Sequence, residues 1–284
     1  MTTQGGQPVC AFHPDRIAYV QCQRCGARVC PPCQTPAAVG VHCPACIRQA
    51  QTARPAAKSV LGVSISQSKP WATMTAIGLC LVAYVAQMAS STVTGTSTSQ
   101  LVIDFGFWAP AAGDKPYLFI TAALLHATPM HLLFNMWCLW VVGTNIEMLI
   151  GRGRMVVLLL VSAVAGNMAV LAWWQLVTLG GGGQPALTIG ASGAVFGLFG
   201  ALLALRRSLG GDMTGIATII VLNLVFSLLV AHISWQAHVG GLLAGSALAA
   251  VYAYAPPQQR KVAAWAGGLG GGAVLILLWV ALAL

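Results

Sequence analysis

Charge is what this sequence is short of: only 7% of its 284 residues are charged, and Asp and Glu together number five. With 57% hydrophobic residues and a mean hydropathy of +0.79, that scarcity excludes a water-soluble globule. A secretory signal is also missing, because the opening MTTQGGQPVC has neither a basic start nor an apolar stretch, so the N-terminal unit is expected to stay in the cytosol. Cysteine is nearly absent after residue 50, where only Cys80 and Cys138 occur, both in apolar runs and read as small core residues. The remaining seven cysteines crowd into residues 1–50, ahead of a polar linker at 51–68 that is rich in Ala, Ser and Gln.

Those seven cysteines and one histidine fall into four pairs of equal spacing: Cys10 with His13, Cys22 with Cys25, Cys30 with Cys33, and Cys43 with Cys46. Two intervening residues let two side chains grip one tetrahedral ion, so eight ligands imply two structural zinc sites. In a reducing cytosol, thiolate–zinc bonding is the expected use of such pairs. The pairing order is open on spacing alone, and His42 is a spare that could replace Cys43. Four closed pairs leave no open coordination position for catalysis, which points to a docking or regulatory domain with a cytosolic protein partner. No recognition-helix pattern follows the last pair, which argues against nucleic acid. Seven zinc-bound thiolates would lower the formal charge from +9 to about +6. The segment from residue 10 to 46 resembles a B-box-type zinc finger. That resemblance implies interleaved pairing, with Cys10, His13, Cys30 and Cys33 on one ion and Cys22, Cys25, Cys43 and Cys46 on the other.

Apolar runs long enough to span a bilayer occur near 71–89, 131–150, 155–176, 191–206, 214–231, 236–255 and 262–284. The expected fold class is therefore an all-α polytopic membrane protein of seven helices, the fourth of them short and glycine-rich. Cytoplasmic loops collect Lys and Arg. With the N-terminus inside, Arg152, Arg154, Arg206, Arg207, Arg260 and Lys261 fall in inner loops, Lys115 alone lies outside, and the C-terminus ends outside. The external segment from Ser90 to about Pro129 is expected to lie partly in the membrane surface with Trp108 and Tyr117 as anchors, or else to pack on the protein.

Polar groups inside spans are costly and each needs a reason. The candidates are Asn135, Glu147, Asn167, Ser192, Asn223 and His238, with His126 and His131 at the entrance of the second span. Topology puts the start of span four, with Ser192, and the start of span six, with His238, on the outer side at similar depth. His131 and Asn135, four apart on one helical face, reach the same level. A serine hydroxyl becomes a nucleophile when a base takes its proton, and histidine is the usual base at neutral pH. Asn135, His131 and the Ser192 N–H are candidate donors to an oxyanion. No acid is placed to complete a triad: Glu147 is at the inner end of span two and Asp212 in an inner loop. A Ser–His dyad is therefore the better arrangement. Gly193 and Gly197 on the helix of Ser192, with Gly241 and Gly245 after His238, offer the small surfaces that let two spans meet. For Asn167 and Asn223 helix cross-linking suffices.

Three motifs carry a family resemblance: GASG at 190–193, AHVGGLLAG at 237–245, and HATPMHLLFN at 126–135. Together, over residues of about 70 to 255, they resemble the rhomboid intramembrane serine proteases. The resemblance implies a six-helix core at 69–255, an additional C-terminal helix at 256–284, Ser192 as nucleophile, and His238 as general base and then acid. It also implies oxyanion support from Asn135 and His131, a structural His126, and a stabilising Glu147 in GTNIEMLIG. Gly190 belongs to the GASG motif. Phe196 takes the position where the family often has a Tyr packed on the catalytic histidine. The external loop lacks an evident Trp-Arg pair, having GFWAP instead. No cofactor is implied for catalysis, and the substrates would be transmembrane segments cut near their outer end in a bacterial plasma membrane. The short connection AHISW at 231–235 is a candidate gate. Two other classes are weighed beside the protease: a catalytically silent membrane scaffold that docks cytosolic partners, and a transporter. The second is disfavoured because the polar groups gather at one face and mark no route across the bilayer.

Overall fold

The computed structural model describes residues 6–53, 59, 61, 70–94, 99–230 and 233–283. The chain divides into two compact units, residues 1–57 and 58–284.

The first unit is built from turns. Strands β1 (Val20–Gln21) and β2 (Arg28–Val29) form one antiparallel hairpin, and β3 (Thr35–Pro36) and β4 (Val41–His42) a second. Helix α1 (Pro44–Ala53) follows, with Pro44 at its first position, where a missing N–H costs nothing. Its buried cluster is made mostly of cysteine, with only Ala18 and Val29 as other fully buried members.

The second unit is helical: α2 (Trp71–Thr94), α3 (Gln100–Phe105), α4 (Leu118–Thr121), α5 (Pro129–Cys138), α6 (Thr144–Ile150), α7 (Arg152–Leu179), α8 (Ser192–Ser208), α9 (Thr214–Leu229), α10 (Trp235–Tyr254) and α11 (Arg260–Ala283). Helices form at all seven apolar runs. Five of them are long and apolar enough to cross a membrane, which makes this a multi-pass membrane protein. The other two are shorter: α9 has 16 residues, and α8 has 17 and ends in Arg206 and Arg207. α8 tolerates its glycines because protein surrounds it, with ten of its residues buried. The second span passes through a π-helical segment, Leu139–Gly143, between α5 and α6.

α8 packs against α10 and α7 at the centre of the unit. A Cβ on Gly241 would collide with the Gly193 carbonyl, and one on Gly245 with that of Gly197, so the two backbones meet where only glycine fits. α11 lies on α7 and α10, and the Trp279 indole donates to the Ala112 carbonyl at 2.9 Å.

The segment between α2 and α5 packs on the protein. Phe107, Leu118 and Phe119 are buried against Met168 and Leu171 of α7, while Trp108 and Tyr117 face outward, 37% and 45% exposed. Phe107 also pairs with Thr188, each N–H donating to the other's carbonyl at 2.9 Å, which ties this segment to the chain just before Ser192.

Glu147 closes the opposite end of the unit. Its carboxylate, 3% exposed, accepts from the N–H groups of Ala72 and Thr73 at 3.0 and 2.8 Å and from the Thr73 hydroxyl at 2.7 Å. These are the unpaired donors of the first turn of α2, so Glu147 caps that helix from a distance and meets its positive end. Glu147→Ala would leave three donors without an acceptor, the two of Thr73 fully buried and that of Ala72 partly so, and a loss of about 3 kcal/mol is expected. Thermal unfolding in detergent would register it as a clearly lowered midpoint. An unchanged midpoint would contradict the capping role.

Candidate active site

Ser192 is the first residue of α8. The preceding TIGA turn needs Gly190 at φ +132°, a conformation closed to other residues, and the Gly190 N–H donates to the Ala122 carbonyl at 2.9 Å. A Cβ on Gly190 would lie 2.6 Å from Cε1 and 2.8 Å from Nε2 of the His131 ring. Gly190→Ala therefore combines backbone strain with a clash, and a destabilisation of about 2 kcal/mol or more is expected. A melting curve indistinguishable from wild type would show that the turn tolerates a side chain. Because a helix leaves its first N–H groups without acceptors, the start of α8 presents donors where the serine stands.

His238 sits one turn into α10, 7% exposed. Phe196, one turn beyond Ser192, stacks on its imidazole with ring centroids 4.1 Å apart and planes 9° from parallel. Ser227 of α9 contacts its Nδ1 at 2.7 Å. Ser192 and His238 line one cavity of about 790 Å³, shared with His131, Asn135, Gly190 and Ser227. Among the described residues no hydrogen bond joins Ser192 to His238. The Asn135 amide donates to the His131 carbonyl of its own helix at 2.8 Å. Asn167 lines the same cavity yet donates to the Phe119 carbonyl at 2.9 Å, and Asn223 donates to Ile219 at 2.8 Å.

His126 lies behind this wall, 1% exposed, edge-on to His131 with centroids 5.1 Å apart. Burial, and then the neighbouring His131, bring its pKa down to about 4, so it is neutral at pH 7. Gln87 of α2 holds its backbone from both sides: the amide donates to the His126 carbonyl and accepts from the His126 N–H, each at 3.0 Å. Asp212 is engaged elsewhere, accepting from the Thr214 N–H and hydroxyl at the start of α9. Of the AHISW connection, Ala231 and His232 lie outside the described residues, whereas Ile233 and Ser234 line the cavity.

Nothing in the sequence marks Gln87 or Ser227: each is one of several polar residues in an apolar helix, and the partner that matters comes from a separate element.

In the first unit, Cys10, His13, Cys30 and Cys33 gather in one group that could hold a metal, and Cys22, Cys25, Cys43 and Cys46 in a second, each with its ligand atoms within 4.8 Å of one another. The turns dictate this interleaving. Cys22 and Cys25 lie at the tip of the first hairpin, while Cys43 and Cys46 follow the second into α1. Cys43 is fully buried in its group and His42 lies outside it. Burial pushes the Cys10 thiol up, but N–H groups of Cys30 and Phe12 and contacts with His13 and Cys30 outweigh it and bring it down to about 6. In the same group burial, then the neighbouring Cys30 and Cys10, push Cys33 up to about 11. Without a cation, such a cluster accommodates one thiolate at the expense of the next.

Residues 113–255 match the model of the Rhomboid domain. The chain is 32% identical over 161 residues to Rhomboid protease GluP of Bacillus subtilis, covering 53% of this chain and 29% of that protein. It is 30% identical over 149 residues to Rhomboid protease GlpG of Pectobacterium atrosepticum, covering 49% of this chain and 50% of that one. Rhomboid-like protease 3 of Toxoplasma gondii is 27% identical over 205 residues, with 67% and 71% covered. The chain thus spans half or less of the length of the two bacterial proteases. With a family model matching residues 113–255, half of its length, and with the serine and histidine motifs opening onto one cavity, the chain belongs to the rhomboid family.

Proposed function

We propose that this protein is an intramembrane serine endopeptidase that cuts transmembrane segments near their outer end. The single observation that carries this is the shared cavity. It holds a serine at a helix N-terminus, a histidine fixed by a stacked ring, and an asparagine and a second histidine beside them. His238 Nε2 takes the Ser192 proton as Oγ attacks the scissile carbonyl. The tetrahedral oxyanion is met by the Ser192 N–H, the Asn135 amide and His131. His238 then returns the proton to the leaving amine, and water hydrolyses the acyl-enzyme by the reverse sequence. A substrate-free site commonly leaves its catalytic hydrogen bonds long, and substrate draws them in. The substrate must unwind to present its carbonyl, which favours small residues and weak helix formers near the cut.

In this reading residues 69–255 are the six-helix core and α11 is an addition, with the N-terminus cytosolic and the C-terminus outside a bacterial plasma membrane. Residues 1–50 form a B-box-like domain with two structural zinc ions, joined to the core by the linker 51–68. Tetrahedral zinc with Zn–S of about 2.3 Å and Zn–N of about 2.1 Å needs ligand–ligand edges of roughly 3.6–3.8 Å. The edges from His13 Nδ1 to Cys33, Cys30 and Cys10 are 3.2, 3.5 and 3.9 Å, on either side of that range, and that from Cys25 to Cys43 is 3.6 Å, so the residues fit zinc with shifts of a few tenths of an ångström. Zinc there supplies cross-links only, and the domain is left to dock a cytosolic protein.

The competing scaffold reading draws on the missing Ser192–His238 bond. Purified protein in liposomes with a single-span substrate separates the two: an endopeptidase yields fragments cut within the outer third of the span. A bound but uncut substrate would establish the scaffold instead.

A further inference from the structure

Ser227 stands on α9, eleven positions before His238, 3% exposed, with its hydroxyl 2.7 Å from His238 Nδ1. The same hydroxyl lies 2.6 Å from the Asn223 carbonyl of its own helix. A serine hydroxyl has one proton, and a carbonyl can only accept. If the proton pointed at Nδ1, two lone-pair oxygens would face each other at 2.6 Å. The proton therefore goes to Asn223, the ordinary back-bond of a helical serine, and Ser227 Oγ is left as an acceptor. Its partner Nδ1 must then carry a proton, which leaves Nε2 as the unprotonated nitrogen.

We propose that Ser227 is the positioning residue of this site: it holds His238 in the Nδ1–H tautomer, so that Nε2 is the base available to Ser192. This rests on the reading of His238 as general base. It also accounts for the missing acid. In a triad the aspartate selects the tautomer and orientation of the histidine, and here a neutral hydroxyl, whose proton is committed to a backbone carbonyl, does both. The other groups on the ring are Phe196, which fixes its plane, and His131 across the cavity, and neither selects the tautomer.

The test uses the full chain in detergent with ¹⁵N-labelled histidine, the His238 signals being assigned by their loss in His238→Gln. Wild type is expected to show a protonated Nδ1 and an unprotonated Nε2. Ser227→Ala should lose that preference and react with a fluorophosphonate probe about tenfold more slowly, the worth of one neutral hydrogen bond. Ser227→Thr, which keeps the hydroxyl, should restore both. A protonated Nε2 in wild type would overturn the proposal, whatever happens to the variants. So would a Ser227→Ala protein with unchanged tautomer and unchanged labelling. A wild type that shows Nδ1–H but never labels Ser192 would support the Ser227 contact while contradicting the protease reading.

Discussion

Replacing Ser192 by alanine is expected to lower peptide-bond cleavage by about four orders of magnitude or more while leaving the melting temperature unchanged. Both halves follow from where the residue stands. As the first residue of α8, Ser192 is not the cap of that helix, and among the described residues its hydroxyl supports no other group through a hydrogen bond, so its loss costs the fold little. The other hydroxyls in the cavity are engaged elsewhere: Ser227 has its proton on the Asn223 carbonyl, Thr188 and Ser234 bond each other at 3.1 Å, and Thr128 caps α5 by accepting from the His131 N–H. His238→Ala is expected to cost nearly as much, and the double variant no more than either alone, because a nucleophile and its base act as one unit. Cleavage of a single-span substrate in liposomes checks all three. Comparable activity in Ser192→Ala would move the chemistry elsewhere.

Stripping metal from the protein is expected to unfold residues 6–53 while the helices of the second unit stay formed. The first unit has almost nothing else to bury. Six of the eight residues in its buried cluster are cysteines, and its four strands are two residues long. A unit that small and that poor in apolar core would draw its folding free energy from bound metal. Elemental analysis should find two zinc ions per chain, and a strong chelator should open the segment to proteolysis well before the helices melt. A value near zero after careful purification, or a first unit that resists protease without metal, would contradict this. Double variants such as Cys22→Ser with Cys25→Ser should behave as the chelated protein does.

The seven apolar runs are visible in the sequence because hydropathy depends on composition alone, and helices lie at each of them. Their lengths are less visible. The shortness of α8 is legible in its brief, glycine-rich run and is permitted by the burial of ten of its residues, but that α9 ends at Leu229 after only 16 residues is not. Ser192, His238, His131 and Asn135 can be found by asking which polar residues share one depth, and the cavity brings the four together. The long-range contacts that hold the surrounding frame cannot be found in that way. The bond from Thr73 to Glu147 spans 74 positions and that from Gln87 to His126 spans 39, so neither leaves a local pattern. Ser227 is harder still, because a serine in an apolar helix normally satisfies itself on the carbonyl four residues back. Ser227 does so here, and only the packing of α9 against α10 shows that its oxygen has a second partner. The segment between α2 and α5 left two alternatives open in the sequence. Packing won because Phe107 and Phe119 are buried against α7 while the Phe107–Thr188 bridge consumes backbone groups that lipid would leave unpaired.

The central claim, a serine activated by a histidine inside the membrane domain, is tested most directly by locating a covalent adduct. Purified wild type, Ser192→Ala and His238→Ala would be treated with a fluorophosphonate probe in detergent, digested and mapped by mass spectrometry. A single adduct on Ser192 in the wild type, absent from Ser192→Ala and greatly reduced in His238→Ala, is the expected result. Equal labelling of all three proteins would contradict it.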